Sequence, residues 1–169
     1  TLDYPPFFAY FEWALSQVAR YVDPEMLKVQ NLNYASTRTI YFQRCSVMFM
    51  DLIYAWGVWR CSKALRFSSK TVQLVTAEAL LLLNVGLIFV DHIHFQYNGM
   101  LFGLLLLSVA FLLEEQHLKA AFVFGLLLNF KHIFLYMAPA FGVYLLKFYC
   151  WGSCRQFVLR CLKLGVVGL

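Results

Sequence analysis

The 169 residues are 62% hydrophobic and 14% charged, with a mean hydropathy of +0.66, a balance outside the usage of soluble domains and suited to a chain whose solvent is a bilayer. The net charge of +5 does not point to nucleic acid, because the lysines and arginines stand in short stretches between apolar segments and form no basic face with interleaved aromatics. Cys45, Cys61, Cys150, Cys154 and Cys161 lie in or beside apolar segments, without the spacing of a secreted disulfide framework.

Taken in chain order, Pro5 and Pro6 suit the start of a helix running to Val22. Glu12, Gln17 and Arg20 interrupt its apolar pattern, so it is expected to lie along the interface. Residues 23 to 38 are polar, and 1 to 38 together read as an aqueous-side loop with an interfacial helix. From 39 onward about six apolar spans are expected, each approaching the roughly 20 residues that cross a bilayer. They fall at 39 to 59, 71 to 90, 97 to 113, 120 to 130, 133 to 148 and from 157. The predicted fold class is therefore an all-α polytopic membrane protein. Thr1 is not preceded by a signal peptide and Leu164 to Leu169 stop within an apolar run, so both ends read as cut from a longer sequence.

The loops orient these spans. Arg60, Lys63, Arg66 and Lys70 cluster after the first span, whereas the stretch DHIHFQYNG after the second has no Lys or Arg, so the basic cluster is expected on the cytosolic side. Alternation then places Asp91 to Asn98 on the far side, Glu114 to Lys119 back with the basic cluster, Lys131 and His132 on the far side, and Lys147 to Arg155 cytosolic. Between 120 and 148 two short helices meeting at Asn129 to His132 are expected. A single kinked helix would leave Lys131 near mid-bilayer at a cost of about 3 kcal/mol.

Ionisable groups at span ends are candidate functional residues because a bilayer penalises them. Asp3 and Tyr4, before the two prolines, form one group, with Asp3 also able to cap the following helix. Asp91, His92, His94, Gln96, Tyr97 and Asn98 form the second. Their donors and acceptors suit sugar hydroxyls, and Phe95 and Tyr97 offer faces for a pyranose. The spacing of Asp91, His92 and His94 matches no standard metal site, so no metal is assigned. Lys131 and His132 form the third group, cationic side chains placed to meet a lipid phosphate, or simply to snorkel to headgroups. Asp51 and Glu78, carboxylates within spans, are expected to pair with helices outside this sequence. Cys150 and Cys154 have no further Cys or His to complete a metal site and are read as juxtamembrane thiols, candidates for palmitoylation.

LDYPP at Leu2–Pro6, DHIHFQYNG at Asp91–Gly99 and NFKHIFLYMAPAFGVYLL at Asn129–Leu146 together resemble the dolichyl-phosphate-glucose-dependent α-1,3-glucosyltransferases of N-glycan precursor assembly. NLNYASTRTIYFQR at Asn31–Arg44 and the His-Ile-His form of the second motif are similar to the branch adding the second glucose; the sister branch adds the first. The resemblance implies a transmembrane bundle of the glycosyltransferase C type in the endoplasmic reticulum membrane with a lumenal active face. It implies a dolichyl-phosphate-glucose donor, a dolichyl-pyrophosphate oligosaccharide acceptor, membrane lipids as partners, no cofactor, and inversion at the transferred carbon. The leaving phosphate then needs cationic help, for which Lys131, His132 and His94 are candidates. It also implies a general-base Asp in a Gly-Asp-aromatic-Glu motif upstream of Thr1, so the segment alone is expected to be inactive, with Asp3 and Asp91 lining the site. A transporter, which would also place Asp, His and Lys at span ends, is the rival from another class, favoured by broken helices in two halves; a structural subunit without chemistry is the third reading.

Overall fold

A computed structural model describes residues 5–65 and 71–168, and among these every regular element is helical. Helix α1 spans Pro6–Val22, with Pro5 at its N-cap and proline again in the first turn, where a missing N–H costs nothing. A 3-10 turn at Pro24–Leu27 follows. Asp23 organises the whole stretch up to the next helix: it accepts from Tyr34 Oη at 3.1 Å, from Thr39 Oγ1 at 3.2 Å and from the Ser36 hydroxyl. Those donors, Ser36 first and then Tyr34 and Thr39, hold the Asp23 carboxyl below its ordinary value despite its partial desolvation. The polar loop is thus a folded connection.

Helix α2 runs Thr37–Leu65 and α3 runs Thr71–Leu82. α4 begins at Val85–Leu87 and widens into a π-helical stretch at Ile88–Ile93. The expected continuous segment from 71 to 90 is therefore broken. Asn84 takes extended ψ (104°) and its side chain accepts from Leu87 N, so an amide inside an apolar run caps a new helix. Helices α5 (Asn98–Leu113) and α6 (His117–Phe130) are straight, apolar and joined by a tight turn through Glu115, whose φ is 59°. Lys131 is extended (φ −153°, ψ 112°) and ends α6 before a 3-10 helix at His132–Met137, α7 at Ala138–Leu145 and a π turn at Leu146–Cys150. α8 occupies Cys154–Gly168.

The bundle is built around α5. Its face toward α2 carries Gly99 and Gly103, one helical turn apart, and a Cβ at Gly103 would stand 2.7 Å from the Tyr54 backbone. Such a small-xxx-small stripe brings two backbones into direct contact, which bilayer helices use where hydrophobic driving force is absent. Its other face joins α6 through Ser108, whose buried hydroxyl donates to Ala120 O at 2.8 Å. Met100, Leu101, Leu127, Phe134 and Phe141 fill the space between α5, α6 and α7, with Phe124 and Phe141 stacked at 4.0 Å between centroids. Two stretches of 19 residues, Val75–Ile93 and His132–Cys150, are long and apolar enough to cross a membrane. Leu80, Leu83, Val85 and Phe89 face outward from the first. α2, expected to span from 39 to 59, is not among them, because Arg44 and Asp51 interrupt its apolar run.

Candidate functional site

The N-terminal end of α5 gathers polar groups from four other elements. Asp91, on the π turn, is 2% exposed; its carboxylate accepts from Gly99 N at 2.5 Å and from Asn98 Nδ2 at 2.9 Å. The widened π turn carries Asp91 inward over the first residues of α5 while His92 turns toward α2, where its Nε2 lies 2.8 Å from an Asp51 carboxylate oxygen. The expectation that Asp51 pairs outside this sequence is corrected: its partner is two elements along the same chain. Phe95 adopts φ 53°, an unusual value for an aromatic residue, and reverses the chain from α4 into α5.

Asn98 is the hub. Its amide donates to Asp91 and to Gln96 Oε1 at 2.9 Å, and its carbonyl oxygen accepts from Lys131 Nζ at 2.9 Å. Lys131 reaches it because α6 stops at Phe130 and the extended residue turns the ammonium back over α5. Among the described residues Lys131 has no carboxylate partner: the neutral amide stands between it and Asp91. Tyr97 sits alongside, its hydroxyl 2.9 Å from Ser46 Oγ and its ring edge-on to Phe11 at 4.9 Å.

Asp91, Gln96, Asn98 and Lys131, four of the residues singled out in the sequence, thus share one hydrogen-bonded cluster, with His92 and Tyr97 at its flanks bonded to α2. His94 and His132 are exposed, and among the described residues neither joins the cluster. Asp3 and Tyr4 lie outside the described residues. Asp91 and the His92–Asp51 pair both border Gly99 and one shared cavity, whereas His94 is exposed and does not line it. Sequence reasoning missed Glu12. Phe8, Glu12 and Ser16 recur every fourth residue and so share a face of α1, and that spacing was the available signal.

Several concavities border or adjoin this cluster, among them one of about 360 Å³ beside Asp51, Asp91, His92 and Gly99. A polar recess of about 110 Å³ is lined by Phe8, Glu12, Gln96, Asn98 and Lys131. A second, of about 200 Å³, is lined by Glu12, Ser16 and Gln43, and both share Phe95 and Tyr97. An open apolar groove of about 520 Å³ runs between α4 and α5 along Leu81, Leu87, Val90, Phe102 and Leu106, and ends at Asn98. The arrangement places an apolar groove and a small polar recess with its Lys131 cation on either side of Asn98, and a second polar recess beyond Glu12, Phe95 and Tyr97.

The other end of α5 differs. Arg60 donates to Glu114 at 2.6 Å and Gln116 donates to the same carboxylate oxygen at 2.9 Å, tying α2 to the turn before α6. Asp91 and Lys131 thus lie at one end of α5 and Arg60 and Glu114 at the other.

Comparison with known proteins finds relatives along the whole chain. The family model described as the ALG6, ALG8 glycosyltransferase family matches residues 1–169. A Drosophila melanogaster protein named probable dolichyl pyrophosphate Glc1Man9GlcNAc2 alpha-1,3-glucosyltransferase is 64% identical over 100% of this chain and 34% of its own length. A Bos taurus protein with that name, without "probable", is 54% identical over 92% of the chain and 31% of its own. One from Arabidopsis thaliana is 47% identical over 99% and 32%. The chain spans about a third of the length of these relatives.

Proposed function

The chain belongs to the ALG6, ALG8 glycosyltransferase family, and from that premise we propose that the full-length protein transfers glucose from dolichyl-phosphate-glucose to the monoglucosylated dolichyl-pyrophosphate oligosaccharide, forming an α-1,3 bond with inversion. The relatives' shared name designates the Glc1-bearing acceptor, which favours addition of the second glucose over the first.

The observation that carries the reading is the position of Asn98. It lines both the apolar groove and the smaller polar recess, and it holds the Lys131 ammonium at their junction. A lipid-linked sugar phosphate has those three parts in that order: an isoprenoid tail for the groove, a phosphate for the cation, a hexose for the recess. In the reaction the acceptor hydroxyl oxygen bonds to the glucose C1 as the bond from C1 to the phosphate oxygen breaks. The phosphate leaves with the electron pair, and the hydroxyl proton passes to a general base. Lys131 faces the charge that grows on the departing phosphate, where a positioned cation acts most strongly in a site that excludes water. Asp91 acts through Asn98, fixing the amide so that its carbonyl meets Lys131, and is a positioning residue. Gln96 and Asn98 offer hydrogen bonds to the donor glucose, and Phe95 and Tyr97 offer ring faces.

We further propose that the protein is a glycosyltransferase C-type bundle of the endoplasmic reticulum membrane. On this reading the Asn98 end of α5 faces the lumen and the Arg60 end the cytosol, α1 lies along the interface, and the helices from α2 onward cross, α2 doing so despite Arg44 and Asp51 in its run. The outward apolar side chains of Val75–Ile93 support insertion. So does the exposed aromatic face of α1, with Tyr10, Trp13 and Tyr21.

The test supplies membranes carrying the full-length protein with donor and monoglucosylated acceptor and weighs the released glycan. A gain of one hexose, absent without the protein, is expected. A gain on the unglucosylated acceptor alone would reassign the step to the first glucose, and no gain on either would overturn the enzyme reading in favour of transport.

A further inference from the structure

The second polar recess takes no part in the donor assignment, yet it is the larger of the two, about 200 Å³ against about 110 Å³. Its lining is assembled from four stretches, three of them Glu12, Leu15, Ser16 and Ala19 from α1, Phe42 and Gln43 from α2, and Phe95 and Tyr97 from the turn before α5. Met26 and Leu27 close it from the 3-10 turn that follows α1. Among the described residues neither lysine nor arginine lines it. A phosphate therefore meets no cation there, whereas carboxylate, hydroxyl, amide and aromatic groups together are the equipment for a neutral sugar.

Its relation to the first recess is the second observation. Glu12, Phe95 and Tyr97 line both, so a hexose in each would be separated by little more than these side chains. Among the described residues the Glu12 carboxylate accepts no hydrogen bond. Ser16 and Gln17, one turn on, bond instead to the α1 backbone at Trp13 O. Tyr97 is fixed from behind by Ser46 and by the edge of Phe11, which makes the wall between the recesses rigid on one side and leaves Glu12 available on the other.

We infer that the recess bounded by Glu12, Ser16 and Gln43 seats the terminal, neutral hexose of the acceptor glycan, and that Glu12, between donor and acceptor sugars, accepts hydrogen bonds from the acceptor's hydroxyls and selects that sugar. This rests on the glucosyl-transfer reading and adds to it the seat of the second substrate. Glu12 here is a binding and specificity residue.

The experiment uses the full-length protein in nanodiscs and three variants, Glu12→Gln, Glu12→Ala and Gln43→Ala. It has two arms: steady-state transfer with donor and acceptor varied separately, and saturation-transfer NMR with a soluble glucose-capped high-mannose oligosaccharide. Loss of a hydrogen bond to a charged group corresponds to about a 10- to 100-fold weakening. Glu12→Ala is expected to raise the acceptor KM by that factor with the donor KM unchanged, Glu12→Gln to recover part of it, and Gln43→Ala, from a different helix, to raise the acceptor KM alone by a smaller factor. The NMR contact to the terminal glucose is expected to weaken in the same order. A raised donor KM, an unchanged acceptor KM in all three variants, or a fall in kcat alone would each overturn the assignment. The arms separate the two readings: wild-type protein that binds the glycan through Glu12 yet transfers nothing sinks the transfer reading only, and wild-type transfer indifferent to Glu12 and Gln43 sinks this one only.

Discussion

The two ends of α5 carry the same ingredients, an acid and a base contributed by neighbouring elements, and assemble them differently. At the C-terminal end Arg60 and Glu114 meet directly at 2.6 Å with about a quarter of each side chain exposed, and Gln116 adds a second donor. At the N-terminal end Asp91 is enclosed and Lys131 is held 2.9 Å from the oxygen of an intervening amide. A direct pair neutralises its charges and fastens helices; an amide-spaced pair fixes geometry while leaving a cation to meet an incoming anion. Charge placement alone does not distinguish a clamp from a site, but the spacer does.

Replacing Lys131 should break that contrast most severely. Lys131→Ala in the full-length protein is expected to lower kcat/KM by about 100- to 1,000-fold, the scale of losing one positioned charge stabiliser, with folding retained; hexose transfer and thermal unfolding are the two measurements. Arg60→Ala should do the reverse, sparing kcat while lowering stability. A double-mutant cycle on Arg60 and Glu114, read in thermal unfolding, should give a coupling of about 1–3 kcal/mol, between exposed and buried pairs. Should Arg60→Ala abolish transfer at unchanged stability, the clamp reading fails. The scaffold between the ends is addressed by Gly103→Ala, whose new Cβ meets the Tyr54 backbone. A loss of about 1–3 kcal/mol from overpacking is expected, felt at both ends alike.

The smallest effect concerns the loop before α2. The Asp23 carboxyl is held below its ordinary value by Ser36, Tyr34 and Thr39. Its stabilising contribution is therefore fully present above the unfolded value of about 4 and is lost as pH falls through the lower folded value. Amide hydrogen exchange across residues 23 to 39 should stay slow from neutral pH to about 4 and speed up below that, while α5 amides show no such step; parallel acceleration in both would detach the effect from Asp23.

Much of this was legible beforehand because bilayer energetics write themselves into local sequence. The ends of α5 and α6 fall where apolar runs give way to polar residues, and the junction at Lys131 follows from the cost of leaving an ammonium in hydrocarbon. Asp91, Asn98 and Lys131 were visible as polar residues at helix ends. What stayed hidden depends on packing between distant stretches. The Asp51 carboxylate finds His92 only because the Gly99 and Gly103 stripe brings α2 and α5 together. The break at Asn84 looked like one polar residue in an apolar run until its side chain was seen capping the next turn.

The bond from Gly99 N–H to Asp91 has an electrostatic corollary. The first amides of a helix carry roughly half a unit of positive charge, and proteins commonly seat phosphates there. At α5 that position is already satisfied by a buried carboxylate. One of those first amides is thus already spent on Asp91, so on the proposed reading a lipid phosphate leans chiefly on Lys131, and with so few charges engaged its binding should change only shallowly with ionic strength.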